Sequence, residues 1–112
     1  MNAKKEPEVK MEESCRKAVL NGKYPLTAPE YYNFAFDVVD KIGNEDRNRL
    51  ALIWVNQHGD EKKFTFHDLS KLSNQAANLL IKNGITRGDR VFLLLPRIPE
   101  WWIFSLALIK LG

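Results

Sequence analysis

Two histidines, one cysteine and a few close carboxylates are the groups in this chain with the most obvious chemistry to offer. His58 and His67 could move protons or hold a metal, because imidazole titrates near neutral pH and ligates through either nitrogen. Neither has a Cys or His partner at the helical or hairpin spacing a metal site needs. Surface or capping duty is therefore the reading for both. Asp37 with Asp40, and Asp60 with Glu61, resemble acid–base pairs only in spacing, and solvated carboxylates are the commoner case. Cys15 stands in a charged stretch without a nearby histidine, so it reads as a free thiol and not a nucleophile. A single cysteine also excludes an internal disulfide.

Phosphate binding calls for a glycine-rich loop whose backbone amides converge. Among the six glycines only Gly84 and Gly88 stand close together, in Asn83-Gly84-Ile85-Thr86-Arg87-Gly88. That segment leads from a helix into a strand, the reverse of a phosphate cradle, so cap and turn roles account for both. No catalytic, cofactor-binding or metal-ligating residue is assigned, and no cofactor is expected for these residues.

The elements that would carry these groups follow from periodicity. Residues 1–30 are charged and weakly patterned, with Met11, Cys15, Ala18 and Val19 suggesting a short helix before Asn21-Gly22. Pro25 and Pro29 then impose an extended passage. This stretch reads as an arm, and residues 31–112 as the body. Asn33 is placed to cap a helix with a mixed stripe of Phe36, Val39 and Ile42, ending at Gly43-Asn44 in a left-handed backbone. Leu50–Val55 and Lys63–Phe66 flank a loop of turn composition and predict a hairpin.

Thr65-Phe66-His67-Asp68 fits a capping box. Leu69, Leu72, Ala76, Leu79 and Leu80 follow at helical spacing, and Gly84 with Ile85 closes the helix. Arg90–Leu95 is apolar on both faces, which predicts a buried strand of a helix-covered sheet. Pro99 opens a last apolar helix running to Leu111. That helix should cross back to a parallel neighbour, so the chain reads as the opening of a larger α/β protein. Arg97, at the carboxyl end of the predicted strand, would face an anionic substrate or, as preferred, pair with a carboxylate of a further segment. Trp101 and Trp102 point about 100° apart and cannot form one flat platform. One is expected on the sheet, the other on a neighbouring segment.

The 112 residues are 45% apolar and 28% charged with a net charge of +3. Interspersed charge of this kind argues against a nucleic-acid partner. The apolar stretch from Ile98 to Leu111 is interrupted by Glu100 and Lys110 and is too short to span a bilayer. Lys4 to Glu8 carries acids a transit peptide would avoid, so a cytoplasmic protein is expected. There are no internal repeats.

In order, Asn33-Phe34-Ala35-Phe36-Asp37, Thr65-Phe66-His67-Asp68-Leu69, Gly88-Asp89-Arg90-Val91 and Pro96-Arg97-Ile98-Pro99-Glu100-Trp101-Trp102 resemble the opening of medium-chain-type acyl-coenzyme A synthetases. These belong to the adenylate-forming ligases. The resemblance implies the first lobe of a large amino-terminal domain, with a hairpin, crossing helices, one buried strand and an incomplete sheet. It implies a parent that joins a small carboxylic acid to coenzyme A with ATP and magnesium, through an acyl adenylate. This stretch would be a scaffold partnered by the remainder of that enzyme, without catalysis of its own. The alternative is a self-associating binding module.

Overall fold

The computed structural model describes residues 29–112; the helix expected around Met11 to Val19 lies outside them. Tyr32–Gly112 forms one compact unit. Its elements, in order, are a π-helical turn Ala35–Asp40, α1 (Lys41–Glu45), β1 (Leu50–Val55), β2 (Glu61–Thr65), α2 (Phe66–Lys82) and α3 (Pro99–Leu111). The class is α/β, with one two-stranded antiparallel sheet.

The first helical segment begins as Asn33 dictates. Its Oδ1 accepts from the amides of Ala35 at 3.0 Å and Phe36 at 3.3 Å, while Asp37 reaches back to the Asn33 amide at 2.6 Å. Those bonds satisfy amides that a helix start would otherwise leave open. The π-turn carries the chain straight into α1, and Ala35, Val39 and Gly43 are its buried positions. Phe36, expected inside, is half-exposed. Gly43 does not end the helix in a left-handed conformation, and α1 continues to Glu45. Its role is close approach: a Cβ there would lie 2.9 Å from the His67 amide nitrogen.

β1 and β2 pair as the hairpin pattern predicts, with Trp54 opposite Lys62 and Leu52 opposite Phe64. An irregularity between Leu50 and Leu52 makes Ala51 the extra residue of a bulge. Beyond it the strand alternates, Leu52 and Trp54 turned inward and Ile53 and Val55 outward. Asn56 builds the turn, its Oδ1 accepting from the amides of His58 and Asp60.

Thr65 ends β2 and caps α2. Its hydroxyl accepts from the Asp68 amide at 3.1 Å, and the Asp68 carboxylate accepts from the Thr65 amide at 2.9 Å. The far end closes as Gly84 donates to Ile81 O and Ile85 to Leu80 O, with φ of +89° at Gly84. These bonds make a Schellman motif. Between the caps, Leu69, Ser73, Ala76 and Ala77 are buried. Leu69, Ala76 and Ala77 join Ala35, Val39, Ile103, Leu106 and Ala107 in one core. Leu79 is half-exposed instead, because it lies roughly 100° round the helix from the centre of that stripe. The fully buried Ser73, which its polarity hides from a hydrophobic template, donates to Ser70 O at 3.0 Å.

The buried strand expected at Arg90–Leu95 is not formed. Among the described residues this run makes no ladder, and Phe92 and Leu94 are 87% and 81% exposed. A strand exists only against a partner, and among the described residues no segment pairs with this run.

Candidate functional site

A groove of about 480 Å³ lies between β1 and the entry to α3. Trp54 forms one wall, Leu95 to Ile98 the floor, and Trp101 with Trp102 the other wall. The chain is held there by the Trp54 indole, whose Nε1 donates to Arg97 O at 2.8 Å. Pro99, at the first position of α3, loses nothing by lacking an amide. Trp101 and Trp102 pack edge to face, ring centres 4.9 Å apart at 84°. They form no flat platform, as expected, but both line the groove and stay partly exposed.

Arg97 is the one charged side chain in this lining. Among the described residues it forms no salt bridge, and the carboxylate expected to pair with it belongs to a further segment outside them. A guanidinium beside aromatic walls can hold an anion or stack. No nucleophile or proton-transfer group shares the lining.

The remaining candidates are tied up locally. Asp37 caps the π-turn. His58 sits exposed in the hairpin loop with its Nε2 3.3 Å from the Gln57 amide nitrogen. Asp60 accepts from the Asn56 side-chain amide at 2.6 Å. Glu61 pairs with Lys63 at 2.8 Å and holds that ammonium above its ordinary pKa. His67 is half-buried in the first turn of α2. Asp68 titrates below the usual carboxylate range, first because the Thr65 amide donates to it and then because the Thr65 hydroxyl does.

Asp40 departs from expectation. It is not a solvated carboxylate but accepts from Lys110 Nζ at 2.8 Å, with side chains 16% and 3% exposed. The same ammonium donates to Asn74 Oδ1 at 2.7 Å and lies 5.4 Å from the Phe36 ring centre. This cluster joins the π-turn, α2 and α3. Periodicity missed it because Lys110 reads as a break in an apolar run. The usable signal was its position in the last turn of a helix, where cations are favoured.

Gly84 closes a helix, and the Gly88 amide is taken by Gly112 O at 3.0 Å. No cluster of three or more His, Cys, Asp or Glu able to hold a metal exists among them. No helix among them is long and apolar enough to cross a membrane.

Fold and groove together define an α/β unit with an aromatic-lined groove beside β1. Comparison with known proteins gives that unit a lineage. Residues 39–112 match the family model described as AMP-binding enzyme. The chain belongs to the AMP-binding enzyme family.

It is 46% identical over 90 residues to the mitochondrial acyl-coenzyme A synthetase ACSM4 of Homo sapiens, covering 75% of this chain and 16% of that protein. With mitochondrial ACSM3 of Homo sapiens the identity is 42% over 95 residues, or 80% of this chain and 16% of the relative. With mitochondrial ACSM5 of Mus musculus it is 44% over 102 residues, or 85% and 17%. The chain thus spans about a sixth of the length of these relatives, and the acyl-coenzyme A synthetase resemblance stands. Their names overturn the cytoplasmic expectation. That expectation rested on a few acidic residues near Met1, and a body of mixed charge suits any aqueous compartment.

Proposed function

We propose that residues 31–112 serve as the first lobe of the large amino-terminal domain of a medium-chain-type acyl-coenzyme A synthetase, with residues 1–30 as an arm. In the whole enzyme a carboxylic acid attacks ATP to give an acyl adenylate and pyrophosphate. Coenzyme A then displaces AMP to give the thioester. Magnesium in that enzyme balances phosphate charge. The share belonging to this lobe is support: it packs, it presents an edge and a groove, and it moves no proton. A mitochondrial location accompanies this reading. The observation that carries it is identity of 42–46% to the two human synthetases over 90–95 residues.

The test is a hybrid in which this chain replaces its matched 90 residues in the human ACSM4 relative. Acid-dependent exchange of pyrophosphate into ATP is expected from the folded hybrid. A folded hybrid without exchange overturns the reading.

The exposed Phe92 and Leu94 favour a second reading, self-association without enzyme activity. A monomer whose sedimentation does not change with concentration would remove it.

A further inference from the structure

We infer that Asn83 is a latent deamidation site, held unreactive by the closure of α2 and released to react whenever that closure opens. The reaction is internal to the chain and independent of the synthetase reading.

Asn83-Gly84 is the one Asn-Gly pair among the described residues. The Gly84 backbone nitrogen, once it gives up its proton, attacks Cγ of the Asn83 side chain. The new N–Cγ bond closes a five-membered succinimide, and the Cγ–Nδ2 bond breaks to release ammonia. Water then adds to one ring carbonyl and opens the ring, leaving aspartate or isoaspartate in place of Asn83. One water enters, one ammonia leaves, and no oxidant is needed. Nucleophile and electrophile are already tethered, so the ring closes without a diffusional encounter. Glycine leaves its nitrogen unshielded, and a Cβ built on Gly84 would meet no atom within 4 Å. Both residues are exposed, so water and base reach them.

The closed helix end blocks each step. The Gly84 amide donates to Ile81 O at 2.9 Å, which retains the proton that must leave. The leaving nitrogen, Asn83 Nδ2, donates to Leu79 O at 2.8 Å and holds the side chain back along the helix. Asn83 has ψ of 11°, which turns the Gly84 nitrogen toward the Asn83 nitrogen and away from Cβ. Ring closure needs it beside Cβ. The chain must therefore rotate about the Asn83 Cα–C bond, which breaks the bonds from Gly84 to Ile81 O and from Ile85 to Leu80 O. Local opening of this kind is what helix ends undergo.

The product closes the helix less well. A carboxylate cannot donate to Leu79 O, and it sets negative charge at the negative end of the helix dipole. Isoaspartate also lengthens the backbone by a methylene, which displaces the Gly84 and Ile85 amides from their acceptors. Leu80 packs against the core and Ile85 is half-buried, so the last turn of α2 loses its anchor.

The test follows ammonia loss in the 112-residue chain in mildly alkaline buffer. Mass spectrometry of the peptide carrying Asn83 separates it from Asn21-Gly22. The native chain should convert about tenfold or more slowly than the urea-unfolded chain. Equal rates while the α2 amides stay protected overturn the inference. If α2 itself is unprotected, the same comparison in the folded hybrid synthetase decides. Across the parent, Ile85→Ala and Ile85→Gly, the native rate should rise in step with hydrogen exchange at the Gly84 amide. Both events need the bond from Gly84 to Ile81 O open, so a rate that ignores the exchange also overturns the inference. Asn83→Asp should speed exchange at Gly84 and Ile85 severalfold over the parent, and unchanged exchange there overturns the loosening by the product.

Discussion

Lys110 shows how one side chain can specify a packing arrangement. Its ammonium is 3% exposed and meets Asp40, Asn74 and the Ser70 carbonyl. Removing one partner of a buried pair strands the other charge. Lys110→Met should therefore lower unfolding free energy by about 3 kcal/mol, measured in urea, and adding Asp40→Leu should restore much of it. Gly43→Ala should cost about 1–3 kcal/mol, because its methyl would press on the Phe66 and His67 backbone. Thr65→Ala should cost about 1 kcal/mol through loss of the α2 cap. Asp68 gives the cap a pH signature. Its folded pKa is depressed, so its contribution is fully present above the ordinary carboxylate value of about 3.9 and is lost as pH falls through the folded value. Stability measured from pH 7 down to pH 2 should fall less steeply in Asp68→Asn.

The hairpin, the capping box and the Gly84 closure were legible because each is written in neighbouring residues. What the sequence could not supply was partnership. The Arg90–Leu95 run has strand composition, but a strand is a relation between segments, and here the run has no partner among the described residues. The same limit hid Gly43, whose constraint comes from residues more than twenty positions away, and Asp40, whose cation arrives from α3. In the groove, Arg97 and both tryptophans could be picked out as candidates by eye. Their tie to Trp54 through the Arg97 carbonyl could not be. An unpaired apolar run should also be sticky. Phe92→Lys with Leu94→Lys should reduce any concentration-dependent association seen by sedimentation. Unfolding free energy should stay within about 0.5 kcal/mol of the parent, since both side chains are exposed.

Taken whole, this is a portion of an acyl-coenzyme A synthetase architecture, about a sixth of the length of its relatives. A core of modest side chains holds the helices to the hairpin. The unit carries a well-made cap at each end of α2, a clamped exit from α3, an aromatic groove and an exposed edge. Support without chemistry is the claim that ties these together. The most direct test is acid-dependent exchange of labelled pyrophosphate into ATP, assayed side by side on purified residues 1–112 and on the hybrid synthetase. The account predicts no exchange above background from the former and clear exchange from the latter. Exchange catalysed by the 112 residues alone would contradict it.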